Sequence, residues 1–453
     1  MEKGKILANV ANLTAEQLFD EIKQGNVTLK ELNETGIFPI NDVRYKQIIK
    51  WQTELDSKEV ETWEHARYAN EMALSDYITN YPTGKHVLEA KQKIDSLQQQ
   101  RANAEVQKKG ILDKIRRNPN SYDPSKILNY LQNNTLTEID LINCGIPKSA
   151  IDNLGNIQTP NLHIGKTPTS IPSGYTEVYF WGGTGSGKTC ALGAILQMAE
   201  QKGYLNIATG PGYLYANQLK NIFSDDGNAN DYLPGPSPVE TTQYLPFTLK
   251  RSSEKNSRSV SLIELSGEIF KCFFHKNAGQ QLPTQSHVDT FDSLNIFLSS
   301  NNRKIHFFFI DYNRENKKDG SGLTQSDYLA AASTYFNNNK VFGKSTDAIF
   351  VILTKSDLLK DEEGNSVYNS KRVEYAKKHL NESNYNAFIN TLKDNCKKYS
   401  INAGKLTVDP FSLGKVYFQQ ICDFDGSSAA TIVEILMDRI PGSKNSILDV
   451  FNK

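Results

Sequence analysis

Cysteine is scarce in this chain and never falls into a motif. The five, Cys144, Cys190, Cys272, Cys396 and Cys422, are odd in number and form no Cys-x-x-Cys pair. That spacing excludes a disulfide framework and a zinc ribbon, and it reads as reduced thiols in a cytoplasmic protein. The seven histidines are dispersed without His-Glu-x-x-His or mixed Cys/His spacing, so His163, His275 and His306 are expected to be packing or surface residues. The Gly-x-Ser-x-Gly elbow of an acyl hydrolase is missing as well. An excess of either charge is also lacking, because Lys+Arg and Asp+Glu are both 51, and so the chain carries no nucleic-acid signal and no footprint for an anionic membrane. No segment approaches 18 consecutive apolar residues, and the stretch MEKGKILANVANL has no apolar core of signal-peptide length. Neither a transmembrane span nor export is expected.

What the chain does contain is a glycine-rich turn between a strand-like run and a helical one. Val178-Tyr-Phe-Trp181 leads into Gly182-Gly183-Thr184-Gly185-Ser186-Gly187-Lys188-Thr189, followed by Cys190 and a run to Lys202 with apolar residues at Leu192, Ile195, Leu196 and Met198. The pattern Gly182-x-x-x-x-Gly187-Lys188-Thr189 is a phosphate cradle: small residues let successive N–H groups point into one concavity, and the helix N-terminus adds positive potential. Lys188 is then expected on the β- and γ-phosphates and the Thr189 hydroxyl on Mg²⁺.

The texture differs on the two sides of residues 159–174, a stretch with three prolines and two glycines read as a linker. Residues 1–158 carry helical periodicity and no strand-like runs. Within them, residues 18–37 recur as residues 127–146, with Thr28 on Thr137, Leu32 on Leu141 and Gly36 on Gly145. Each copy reads as a helix, a polar break, a Thr-capped second helix and a glycine C-cap. Between the copies, a helix closing on Tyr81-Pro82 and a second carrying Ala90 resemble a tetratricopeptide-type pair, which implies a module for protein partners. The charged run 89–109 mixes both signs without aromatics and is expected to be a solvated helix face.

Residues 175–453 alternate strands with helices, the pattern of a mostly parallel sheet covered on both faces; the fold class is therefore α/β behind an all-α N-terminal region. After the phosphate loop comes a polar stretch, residues 203–242, read as a loop. A hairpin follows (244–250 and 260–265), then buried strands at 304–311 and 348–354, and a weaker one at 405–408. Thr354-Lys355-Ser356-Asp357 ends the second buried strand. Asp357 can accept from both the ring N–H and the exocyclic amine of guanine, a pattern adenine does not offer.

This order of signals resembles the GTPase branch of P-loop proteins, the TRAFAC-like class, and within it the GTPase modules of bacterial conflict and defence systems. The resemblance spans residues 175 to about 440 and implies GTP or GDP bound with Mg²⁺. It places Thr354, Lys355 and Asp357 on the base, Ser412 and Leu413 in the base-contacting Ser-Ala-type loop, and Thr241 or Thr242 on Mg²⁺. In Leu262-Ile-Glu264-Leu-Ser-Gly267-Glu268, Glu264 stands where the class has a metal-linked Asp, and Glu268 stands where it has the water-orienting Gln. Gly267 would offer its N–H to the γ-phosphate. With Lys188, Gly267 and Glu268 at the catalytic positions, hydrolysis is expected to be slow or partner-dependent. Two other readings stay open. One is a P-loop ATPase that takes Asp311 as its Mg²⁺ carboxylate; the other is a nucleotide-binding scaffold without turnover.

Overall fold

The computed structural model describes residues 3–156, 162, 170–210, 212–224, 232–235 and 243–442. Chain packing divides it into two compact units, Met1–Asp113 and Lys114–Lys453, with the division inside the long helix Val87–Arg117. The second copy of the helical hairpin therefore belongs to the unit that holds the sheet.

The first unit is helical: Ala15–Lys23, Leu29–Glu34, Val43–Ala66, Glu71–Asn80 and the start of Val87–Arg117 are its main elements. Thr28 caps the second of these in a capping box with Glu31, as Thr137 does with Asp140 ahead of Glu138–Asn143 in the other unit. Gly36 and Gly145 close the two short helices at φ 69° and 86°, a conformation that glycine adopts without a Cβ penalty. Leu32 and Leu141 are fully buried.

The second unit is built on a seven-stranded sheet. Its strands are β1 (Thr176–Trp181), β2 (Leu205–Ile207), β3 (Gln243–Leu249), β4 (Arg258–Glu264), β5 (Arg303–Asp311), β6 (Thr346–Thr354) and β7 (Thr407–Phe411), in the spatial order β2-β3-β4-β1-β5-β6-β7. Pairs from β4 through β7 are parallel, while β2–β3 and β3–β4 are antiparallel. Alternate side chains of β1 feed two cores: Tyr179 and Trp181 pack with helices Ile269–Asn277 and Gln325–Asn338, and Val178 and Phe180 with Lys188–Gln201 and Ser427–Arg439. Burial on both faces explains why these strands read as continuous apolar runs rather than alternating ones.

The stretch 203–242 departs from the loop expected of it. It holds β2 and the helix Tyr213–Asn221, which buries Tyr215, Ala216 and Leu219. The helix is too short and too polar in composition for its period to stand out; its burial against Lys188–Gln201 decides it. A further hairpin, β8 (Gly414–Tyr417) with β9 (Ile421–Phe424), follows β7 directly.

Candidate functional site

The parallel strands end on one edge of the sheet, where an α/β fold presents its loops. β1 stops at Trp181, and Gly182 passes so close to β5 that a Cβ there would lie 2.5 Å from the Phe309 carbonyl oxygen. The loop then turns into helix Lys188–Gln201. Lys188 is buried at 6% exposure, its ammonium donating to the carbonyls of Gly182 (2.6 Å) and Gly183 (3.1 Å). Loss of hydration pulls its pKa down to about 8, although the neighbouring Glu264 opposes the shift.

Glu264 is the last residue of β4, the strand beside β1, and is 2% exposed. It accepts one hydrogen bond from the Thr189 hydroxyl and another from Tyr215 (2.5 Å). Burial raises its carboxyl above the usual range, and these two donors counter the rise in part. The adjacent hydroxyl and carboxylate form a hard oxygen set, the kind Mg²⁺ uses when phosphates and waters complete its shell. No group of three or more His, Cys, Asp or Glu side chains suited to a metal occurs among the described residues.

Beyond β4 the chain turns back onto the phosphate loop. Gly267 lies so near that a Cβ would stand 2.1 Å from the Thr184 nitrogen. Glu268 accepts a hydrogen bond from the Thr184 hydroxyl (2.8 Å) and pairs with Lys271 (2.7 Å). The carboxylate that replaces the expected amide is thus occupied by a hydroxyl and an ammonium. Thr241 and Thr242 lie outside the described residues.

On the other side of β1, Thr354 at the end of β6 brings its hydroxyl within 2.9 Å of the Ser186 carbonyl oxygen, tying that strand to the phosphate loop. Lys355 follows in the left-handed region (φ 57°) and donates to Asp311 at 2.6 Å. Asp311 is fully buried and also faces Arg314 at 3.8 Å. Asp357 accepts from the Ser412 hydroxyl (2.9 Å), and burial raises its carboxyl above the usual value despite that bond. Ser412 begins the loop between β7 and β8, with its N–H turned to Ser428 Oγ (3.1 Å).

These segments line one cleft of about 430 Å³. Thr184, Gly185, Gly187, Lys188, Thr189 and Cys190 contribute from the loop, with Gly267, Thr354, Lys355, Asp357, Ser412 and Leu413. Glu264 stands behind the loop, joined to it through Thr189. Several lining residues were invisible to motif reading: Arg314 and Lys317 after β5, Leu233–Gly235, Gln419 and Gln420 at the β8–β9 turn, and Asn120. That turn carries Phe418 and Gln419 at positive φ, and its backbone bonds to Pro119 and Asn120 hold it in place. Only Arg314, three residues after a strand-terminal Asp, had a sequence signal to offer.

No protein-family model and no curated protein sequence matches the chain. Among solved structures, it is similar to the GTPase-like domain of S. cerevisiae Ski7 bound to GTP, with 16% identity and a TM-score of 0.27 over 60% of this chain and 54% of that one. The chain thus spans about half of that structure. It is also similar to a putative nucleolar GTP-binding protein 1 from Plasmodium falciparum, with 11% identity and a TM-score of 0.25 over 63% of this chain and 98% of that one.

Proposed function

We propose that this protein is a guanine-nucleotide-binding switch that hydrolyses GTP slowly or with the help of a partner. The observation that carries the reading is the meeting of three distant segments, 182–189, 354–357 and 412–414, in one cleft. Two of them are joined there by the Ser412–Asp357 hydrogen bond. The phosphate loop and Lys188 would hold the phosphates. Asp357 is a buried acceptor with Ser412 fixing one oxygen, suited to the paired donors of guanine. Lys355, anchored on Asp311, would lay its stem along the base.

Thr189 and Glu264 are the residues that would hold Mg²⁺, which when bound neutralises charge on the phosphates. Tyr215 orients Glu264 through its hydroxyl. Thr241 or Thr242 is proposed to close on the metal. Glu268 is acceptor-only as a carboxylate, and with Thr184 and Lys271 occupying its oxygens it is poorly placed to aim a water. This supports slow turnover. The helical region is proposed as the site for a protein partner, and cytoplasmic residence, the tetratricopeptide-like pair and the kinship with bacterial conflict-system GTPases belong to the same proposal on sequence resemblance.

The reading that takes Asp311 as the metal carboxylate of an ATPase is less well supported. Asp311 is engaged by Lys355 at 2.6 Å, whereas the hydroxyl of Thr189 is engaged by Glu264. Titration of wild type, Lys188→Ala and Asp357→Asn with GTP, GDP and ATP tests the choice. Lys188→Ala is expected to lose all three, and Asp357→Asn to lose the guanine nucleotides selectively. If ATP binds as tightly as GTP and Asp357→Asn changes nothing, the guanine reading fails. Binding without turnover under any condition replaces the hydrolase with a scaffold.

A further inference from the structure

Phosphoryl transfer gathers negative charge on the phosphate oxygens, and the cleft contains a cation that no motif announced. Arg314 sits three residues past the end of β5 in a short 3₁₀ turn, Tyr312–Arg314. Its Nη1 donates to the Thr184 carbonyl oxygen. Its guanidinium lies over Gly185, where an added Cβ would approach Cζ to 3.2 Å. Its Nε faces the buried Asp311 carboxylate at 3.8 Å. Arg314 therefore rests on the outer rim of the loop that cradles phosphate. It lines both the 430 Å³ cleft and a neighbouring one of about 350 Å³ on the far side of Thr184 and Gly267. The side chain is 46% exposed and its one hydrogen bond to the loop is to a neutral carbonyl, so the guanidinium can exchange that carbonyl for a more strongly charged acceptor.

We propose that Arg314 is an arginine supplied in cis, which exchanges the Thr184 carbonyl for the β- and γ-phosphate oxygens of a bound triphosphate and stabilises the charge that gathers there during hydrolysis. The inference rests on the guanine-nucleotide reading. In the step itself, a water oxygen bonds to the γ-phosphorus while the bond from that phosphorus to the β–γ bridging oxygen breaks. The electron pair leaves with GDP, and the water proton ends on inorganic phosphate. Arg314 makes and breaks no covalent bond; it offers N–H groups and positive charge to oxygens whose negative charge rises. Glu268, an acceptor-only carboxylate paired with Lys271 and Thr184, cannot supply that charge. A planar fork suits the task better than an ammonium, so lysine is not an equivalent replacement.

The test uses the full chain with Arg314→Ala, Arg314→Lys and Arg314→Gln. For each, affinity for GDP and for a non-hydrolysable GTP analogue is measured, with single-turnover GTP hydrolysis. Arg314→Ala is expected to lose about tenfold or more in analogue affinity and about a hundredfold in hydrolysis, with GDP affinity within about threefold. Arg314→Gln keeps a donor for the Thr184 carbonyl without the charge. If it retains the wild-type preference for analogue over GDP and the wild-type rate, Arg314 is only a staple for the loop and the proposal is overturned. Failure of the guanine reading looks different: wild type would prefer ATP, and the same variants would be read as the preference for an ATP analogue over ADP. A wild type that binds no nucleotide overturns both.

Discussion

Replacing Gly267 by alanine puts a methyl group into a space that does not exist. The added Cβ would lie 2.1 Å from the Thr184 nitrogen, 2.4 Å from its Cα and 2.5 Å from the Gly183 carbonyl carbon. All three are backbone atoms and cannot rotate aside. Ordinary contact begins near 3.4 Å, so turn and loop must separate by about 1.3 Å, the difference between that and 2.1 Å. A shift of that size stretches the 2.8 Å Thr184–Glu268 hydrogen bond to about 4 Å, beyond bonding range. A hydrogen bond to a carboxylate is worth roughly 1.5–3 kcal/mol. This one is only part-buried and Glu268 keeps Lys271, so a loss of about 1–2 kcal/mol is expected. Thermal unfolding should then fall by about 1–3 °C for the unit Lys114–Lys453. On the guanine-nucleotide reading, the displaced turn can no longer offer the Gly267 N–H to a terminal phosphate, so the variant should lose the extra stabilisation that a GTP analogue confers over GDP while keeping that of GDP. Thr184→Ala, which removes the hydrogen bond without the overlap, should reproduce the thermal loss and spare the nucleotide preference. A Gly267→Ala protein with wild-type melting and wild-type preference would refute the argument that this contact couples the turn to the terminal phosphate.

Two other perturbations follow from buried groups in the cleft. Burial lifts the Asp357 carboxyl above the ordinary 3.8, and guanine requires the ionised form, so GTP affinity should fall about tenfold per pH unit below that raised value. The folded chain holds this proton more tightly than the unfolded chain, so the carboxyl's contribution to stability declines as pH rises through that window. Asp357→Asn should therefore raise the melting temperature of the nucleotide-free protein at pH 7, and the weakened guanine-nucleotide binding it retains should no longer fall on the acid side. An unchanged melting temperature together with an unchanged pH profile would contradict both. Tyr215→Phe removes the donor to one Glu264 oxygen, and the Mg²⁺ concentration needed for half-maximal GTP binding should rise several-fold. An identical Mg²⁺ titration would show that Tyr215 does not position the carboxylate.

The strand, glycine-rich turn and helix around Gly182–Thr189 were legible residue by residue, because glycine spacing, a preceding apolar run and a following helical run each leave a mark on short stretches of sequence. Thr354–Asp357 stands out for the same reason, at the end of a strand buried on both faces. Tyr215 left no such mark: it lies on a nine-residue helix in a polar stretch, and its partner Glu264 is 49 positions away.

By itself, the sequence determined the main buried strands and several of the helices, the glycine-rich turn before Lys188, and the capped pairs at Thr28 and Thr137. All of these rest on interactions within a few residues. Only the tertiary structure decided that β4 lies beside β1, which puts Glu264 against Thr189, and that Ser412 meets Asp357 across 55 positions. It alone laid Arg314 over Gly185 and bound Glu268 to Thr184. These are contacts between segments far apart in the chain, and their geometry is set by sheet register and side-chain packing rather than by any local propensity.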